Sequence, residues 1–499
     1  MGIKVKNIGL IGLGVVAGIA ATMQFPALAQ RAGAPLPLDE LRQLSDVFGL
    51  IKTDYVEKVE DKKLLTEAIS GMVASLDPHS VYLDKNAFKD MRDSVQGKFV
   101  GIGIEVSMED GYVKVVSPIE DSPATRAGIL AGDLITRLDN VPLKGLQLDE
   151  VIKKMRGQPG SKLVLTVSRK GEDKPLVFPI VREEIRVQSV KAKMVAPGYG
   201  WLRIAQFQEP TLDDMVKKIN GLYAQDPKLK GLVLDLRNDP GGVLPGAIGV
   251  SAAFLPGNSV IVSTRGQLPE SKQVFYGRKE FYAAPNTRAD PLARLPAALK
   301  TVPLVVLVNT GSASAAEIVA GALQDYGRAT VIGTQTFGKG SVQTLRQLTA
   351  DTAIKLTTAR YYTPKGRAIQ ARGVTPDLLV DETPEGDGWN SLRVREADLE
   401  KHLNSDDGQP EAAKPTMGEV HDQLEQEKRL IAGAKTRKRL EYGSADDFQL
   451  QQALNHFKGL PVKLAKVDNK DNKAEKIVDK PEMASDIKAE DKKAPVSQP

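Results

Sequence analysis

Hydrophobic positions change their period along the chain. Between residues 37 and 96 they recur three and four apart. Leu41, Leu44, Val47, Phe48, Ile51 and Tyr55 share one face, and Leu64, Leu65, Ala68 and Met72 share another. That spacing predicts amphipathic helices. Asp77-Pro78-His79-Ser80 closes the pair with turn chemistry. Two exposed apolar stripes either serve association, as a dimer or interaction element, or cover a neighbouring domain. From 97 to 186 the period falls to two, with short strands predicted at 99–106, 112–116, 163–168 and 176–180 and one short helix at 148–155. Between 187 and 387 continuous apolar runs alternate with amphipathic stretches, an α/β pattern. Strands are expected at 201–207, 231–237, 304–308 and 353–361. Helices are expected at 212–223, from 243 to about 254, and after 314, where Ala315, Ile318, Val319, Ala322 and Leu323 share a face. Residues 266–298 form a long mixed excursion between them. The stretch 392–456 reads as charged and mainly helical, with Leu399, Leu403, Leu424 and Leu430. Beyond Lys463 aromatics vanish and disorder is expected. The resulting plan is a leader at 1–29, a helical region at 30–96, an all-β domain at 97–186, an α/β core at 187–387, a helical region at 388–462 and a charged tail at 463–499.

Composition narrows the classes. The 499 residues, 41% hydrophobic and 26% charged, are those of an ordinary globular chain with room for three or four domains. Net charge is only +5, and the tail from Lys463 carries 9 lysines against 8 acidic residues. No concentrated basic arm supports nucleic-acid binding. Cysteine is absent, which excludes disulfides, thiolate zinc sites and a cysteine nucleophile. Lys4 and Lys6 precede an apolar run at 8–22, and Ala27-Leu28-Ala29 follows. This is the layout of an export signal cleaved after Ala29, the alternative being an uncleaved membrane anchor. Export points to the periplasm.

The chemistry concentrates in residues 303–343. The buried run 304–308 breaks into Gly311-Ser312-Ala313-Ser314 and then turns helical. A serine there lies in the positive field of a helix N-terminus, which suits a nucleophile whose attack creates an oxyanion. Either Ser312 or Ser314 could equally be a plain helix cap. Lys339 follows, enclosed by Phe337, Gly338 and Gly340. The four histidines stand at 79, 402, 421 and 456, outside the α/β core. Lysine is therefore the base most available to a serine there, provided burial lowers its pKa from about 10.4. A surface lysine in a hairpin turn is the plainer alternative. Gly333-x-x-x-x-Gly338-Lys339 nearly spells a phosphate-binding loop, but Gly340 stands where Ser or Thr must hold magnesium. A second tight turn, Asn238-Asp239-Pro240-Gly241-Gly242, lies between a strand and a helix and offers unhindered backbone amides.

Two resemblances give these features a frame. Ser122-Pro-Ala-x-x-Ala-Gly-x-x-x-Gly-Asp-x-Ile135 resembles a PDZ domain of the proteolysis-associated branch, with Gly101-Ile102-Gly103-Ile104 matching its carboxylate-binding loop. Backbone N–H groups freed by glycines suit a chain-terminal carboxylate, and a strand edge suits an extended peptide. Gly311-Ser-Ala-Ser-Ala-Ala-Glu-Ile318, Phe337-Gly-Lys-Gly-Ser-Val-Gln343 and Asp235-Leu-Arg-Asn-Asp-Pro-Gly-Gly242 together resemble the carboxy-terminal processing peptidases, the tail-specific proteases among the serine peptidases of family S41. That resemblance implies a ClpP/crotonase-like α/β core with an inserted PDZ domain and flanking helical regions. It implies Ser314 as nucleophile, Lys339 as base and Gln343 as support for the lysine. It also implies an oxyanion hole from Gly241 or Gly242 with Ala315. Asp239 departs from the asparagine, and Ala316 from the serine, that the family often has. No metal or cofactor is implied. Implied partners are protein substrates held by their C-termini, a helical-repeat adaptor and a homodimer or higher oligomer. The competing expectation is a catalytically inactive PDZ scaffold.

Overall fold

The computed structural model describes residues 37–109, 111–119, 121–285, 287–384, 386, 394–406 and 441–465. The leader, residues 407–440 of the expected C-terminal helices, and the tail beyond 465 lie outside these. The described residues up to 72 and those from 73 onward form two compact units. In the first, α1 (Leu38–Asp54) carries Asp39 and Glu40 in its first turn and Lys52 in its last, the order the helix dipole favours. Lys52 then bonds Asp61 at the start of α2 (Asp61–Ala74). No residue of α1 is buried.

The second unit opens with β1 (Val81–Leu83) and α3 (Lys85–Val95), whose first turn is capped by the Asp84 carboxylate. A pair formed by β2 (Lys98–Gly101) and β9 (Glu183–Arg186) brackets the all-β domain. Between them lie β3 (Ile104–Glu109), β4 (Tyr112–Pro118), α4 (Pro123–Ala127), β5 (Leu134–Leu138), β6 (Val141–Pro142), α5 (Leu148–Met155), β7 (Lys162–Ser168) and β8 (Leu176–Val181). Their sheet runs β3-β4-β5-β7-β8, with β6 on β5. Its core is Val113, Val115, Ile135, Leu163, Leu165 and Val167, the inward half of each alternating pattern.

The α/β core follows as β10 (Val190–Ala196), β11 (Tyr199–Ile204), α6 (Thr211–Gln225), β12 (Gly231–Asp235), α7 (Leu244–Phe254), β13 (Val260–Arg265), β14 (Gln273–Tyr276) and α8 (Lys279–Tyr282). It continues with β15 (Leu304–Val308), α9 (Ala315–Asp325), β16 (Thr330–Gly333), β17 (Ser341–Gln347), β18 (Ala353–Tyr362) and β19 (Leu378–Leu379). The main sheet runs β10-β11-β12-β15-β16-β19 and is parallel except at β10. Every residue of β12 and β15 is buried, as their unbroken apolar runs predict. Helices α6, α7 and α9 cover one face. The other face is closed by α10 (Phe448–Phe457), through Leu450 and Ala453 against Trp201, Val233 and Val305. A second, antiparallel sheet, β1-β18-β13-β14 with β17 on β18, carries the chain away from and back to the main one.

Helix was expected from 392, and residues 394–406 differ. They form one 3-10 turn, Glu396–Asp398, and extended backbone. Glu396 is buried there, 2.7 Å from His79 Nε2 and accepting from Gln370 Nε2 at 2.9 Å, so tertiary polar partners overrule helix propensity.

Candidate active site

In a parallel sheet, ligand sites form beyond the carboxyl ends of the strands. Beyond β12 comes the turn 238–242, and beyond β15 the loop 309–314. Ser312 is buried between them: its Oγ donates to Leu236 O at 2.8 Å and accepts from Asn309 N at 3.0 Å. It braces two strand ends. Asn309 and Asn238 add reciprocal bonds of 2.9 Å, and Ala313 N donates to Asp239 O at 2.9 Å. The two turns are thus locked to one another.

Ser314 stands at the start of α9 with φ 53° and ψ −111°. A non-glycine residue in such a conformation costs about 1–3 kcal/mol and persists only where its surroundings hold it. Its backbone N–H donates to Glu317 Oε2 at 2.8 Å. Gly241, φ 91°, lies so close that a Cβ there would sit 2.8 Å from both Ser314 Cβ and Ala315 N. The Gly241 N–H donates to Asp239 Oδ1 at 2.8 Å. The N–H groups of Gly242 and Ala315 have no acceptor among the described residues. Of the two glycines named from sequence, Gly242 is the one with a donor to spare.

Lys339 lies on the stretch between β16 and β17. A strand follows where a phosphate-binding loop would need a helix, which removes the nucleotide reading. Gly340 packs so tightly on the Gln370 backbone that a side chain would collide with it, and Gly338 has φ 97°. Lys339 Nζ is half-buried and has no hydrogen-bond partner among the described residues. Burial holds its pKa below the ordinary lysine value, helped by the charge of Lys355 and opposed by Glu396, Glu317 and Asp77. Gln343 donates from Nε2 to Ser341 Oγ at 2.9 Å and Thr357 Oγ1 at 3.2 Å. Thr357 in turn donates to Asp77 Oδ1 at 3.1 Å, so the Asp77–Ser80 turn braces the lysine side of the site.

Sequence reasoning missed Glu317, the residue that joins the halves. Its fully buried carboxylate accepts from Ser314 N at 2.8 Å, Lys339 N at 2.9 Å, Gly338 N at 2.7 Å and Thr336 Oγ1 at 2.5 Å. Ser314 and Lys339 therefore hang by their backbone amides from one oxygen atom. Burial pushes the Glu317 carboxyl up to about 7 against these four donors. The Ser-x-x-Glu spacing of a capping box was the available signal. Also missed was the buried Arg237 clamp, which bonds Asp235 and Asp447 and so fastens the C-terminal segment under the 238–242 turn.

In the all-β domain, Gly103 has φ 77° and its carbonyl accepts from Ser122 Oγ at 2.9 Å. The N–H groups of Ile102 and Gly103 have no acceptor among the described residues. Beside them opens a groove of about 280 Å³ lined by Phe99, Ile104, Val106, Ile152, Met155 and Arg156.

Residues 198–380 match peptidase family S41, residues 100–178 match a PDZ domain, and residues 20–87 match the activating protease CtpB N-terminal domain. The chain is 43% identical over 432 residues to a carboxy-terminal-processing protease of Bartonella bacilliformis, covering 84% of this chain and 95% of that protein. The chain belongs to the carboxy-terminal-processing proteases. A probable CtpA-like serine protease of Staphylococcus aureus strain COL is 36% identical over 389 residues, 77% of this chain and 73% of that protein. Among solved structures, the photosystem II D1 C-terminal processing protease is similar at 28% identity and a TM-score of 0.39, covering 65% of this chain and 83% of that one. The protease thus combines an S41 peptidase domain with a PDZ domain, and an inactive scaffold is not favoured. Among its described residues no helix is long and apolar enough to cross a membrane, and no cluster of His, Asp and Glu could hold a metal.

Proposed function

We propose that this protease is an exported endopeptidase that cleaves proteins with a Ser314–Lys339 dyad, on a core of the ClpP/crotonase kind. Neutral Lys339 takes the Ser314 proton as the hydroxyl attacks the peptide carbonyl. The N–H groups of Gly242 and Ala315 hold the oxyanion, and water then releases the acyl group. Gln343, anchored through its Nε2 to Ser341 and Thr357, supports the lysine side of the site. The supporting observation is the shared Glu317 oxygen, which ties the backbones of a strained serine and a half-buried lysine to one point. The groove beside Ile102 and Gly103 takes the substrate's C-terminal carboxylate and an apolar last side chain. The reading places the enzyme in the periplasm, with the 1–29 leader removed or kept as an anchor. It also allows a homodimer and a helical-repeat adaptor.

Ser314→Ala and Lys339→Ala should each lower turnover of an unfolded protein substrate by at least about a thousandfold, the scale seen when a nucleophile or its base is removed. Circular dichroism should show both variants folded. Wild-type turnover in either variant would sink the dyad.

A further inference from the structure

We propose that Asp239 is a positioning residue for the oxyanion turn and acts as a neutral carboxylic acid. Its Oδ1 fixes the Gly241 N–H, while its missing charge leaves the oxyanion beside Ser314 unopposed. The inference rests on the dyad reading above.

Asp239 is fully buried. Its Oδ1 accepts from Gly241 N at 2.8 Å, and its Oδ2, also buried, has no partner among the described residues. Its carbonyl accepts from Ala313 N, one residue before the nucleophile. Gly241 in turn touches Ser314. A carboxylate in that position would be a buried charge with one hydrogen bond, which is costly to maintain. Asp235, four residues earlier and equally buried, shows what an ionised neighbour requires. It receives Arg237 Nε at 2.9 Å and Nη2 at 2.5 Å, Arg203 Nη1 at 3.3 Å and Trp201 Nε1 at 3.1 Å, and its pKa is lowered. The ionisable groups on the elements around Asp239 are Asp235 at the end of β12, Arg237 just beyond it, Arg203 on β11, Glu317 on α9, Lys339 on its loop, and Tyr442 and Asp447 in the C-terminal segment. Only Arg203 attracts the Asp239 carboxylate, and Arg203 is already held by Asp235. Burial accordingly pushes the Asp239 carboxyl well above the usual carboxylate range. Keeping a carboxyl neutral in this way preserves its hydrogen-bonding shape without its charge. It also explains how aspartate occupies a position where the family often has asparagine.

The sign of the pH effect follows. Asp239 is protonated below its folded pKa and ionises as pH rises. A negative charge then appears beside the forming oxyanion, so kcat/KM falls on the alkaline side. The fold loses stability before that, as pH rises from the ordinary carboxyl range of the unfolded chain up to the folded pKa, because over that span only the folded chain still holds the proton. The loss levels off once Asp239 ionises. The test compares full-length wild type, Asp239→Asn and Asp239→Ala. Asp239→Ala should lose about tenfold or more at every pH, since Gly241 N–H is left without its acceptor. Asp239→Asn keeps the acceptor. It should restore activity to within about threefold of wild type at neutral pH, remove the alkaline fall in kcat/KM, and remove the fall in Tm that precedes it at lower pH. Infrared difference spectra at neutral pH should show a protonated-carboxyl band in wild type that Asp239→Asn lacks. Coincident alkaline limbs in wild type and Asp239→Asn, wild-type rates in Asp239→Ala, or no such band would each overturn the proposal. Turnover by Ser314→Ala would instead overturn the dyad reading, while the infrared and Tm measurements would still judge Asp239.

Discussion

The loop at Gly101–Ile104 and the turn at Asp239–Gly242 use the same device. Each frees backbone N–H groups with at least one glycine at positive φ, and each has a serine against its third residue. Their surroundings differ. The first opens on an apolar groove and is held by one side-chain bond, Ser122 Oγ to Gly103 O. The second is enclosed by polar groups that are buried except for the half-buried Asn238: Asp239, the Asn238–Asn309 pair, the Arg237 clamp and, across Ser314, Glu317. Recognition of a resting carboxylate tolerates a soft frame. Stabilising an anion that exists only in a transition state requires donors fixed beforehand, because an error of about 1 Å costs on the order of a hundredfold. That difference predicts where substitutions damage kcat and where they damage KM.

The largest effect outside the proposed dyad should come from Glu317→Gln. Four donors meet two carboxylate oxygens, and an amide puts its own NH2 against two of them. Ser314 and Lys339 then lose their common anchor, and kcat should fall by roughly a hundredfold with a smaller change in KM. Steady-state kinetics decide it; a variant altered only in KM would show that the anchor is dispensable.

At the softer site, Gly103→Ala should act the other way. The residue has φ 77°, and a Cβ would collide with Ser122 Cβ. Affinity for a peptide with a free C-terminus should drop by about tenfold, equivalent to about 1.4 kcal/mol, while kcat on a saturating substrate stays near wild type. Calorimetric titration of such a peptide checks the first part. Unchanged affinity would remove this loop from carboxylate binding.

Much of both sites was legible in the sequence, for physical reasons. The buried runs in β12 and β15 show because strands covered on both faces need continuous apolar residues. The glycine turns show because few other residues reach their dihedral angles. What stayed hidden is long-range polar pairing. Glu317 carries only the local Ser-x-x-Glu spacing, whereas its bond to Lys339 N spans 22 residues and has no local pattern. The Arg237–Asp447 bond spans 210 residues. Strand β1 is three residues long, too short for a period, and exists because Val81 pairs with Lys355. Asp77-Pro78-His79-Ser80 read as a turn and is one, yet its carboxylate also holds Thr357.

The smallest expected effect tests how the lysine side is tuned without being touched. Lys355 on β18 is the largest electrostatic influence that lowers the Lys339 pKa, second only to burial. Asp77 offsets part of the burial that depresses the pKa of Lys355 itself. Replacing Lys355 with methionine keeps the stem and removes the charge. Lys339 then holds its proton to higher pH, so the acid limb of kcat/KM moves upward. At neutral pH the loss should stay below about tenfold, because burial of Lys339 is unchanged and one pKa unit corresponds to about tenfold. At high pH, where Lys339 is neutral in both proteins, the rates should converge. Lys355→Arg should leave the limb in place, since it restores the charge. A rate loss constant across pH in Lys355→Met would mean that β18 matters for packing alone. A limb that moves and then rejoins wild type would place Lys355 among the groups that make a lysine serve as a base, at a distance from the serine it serves.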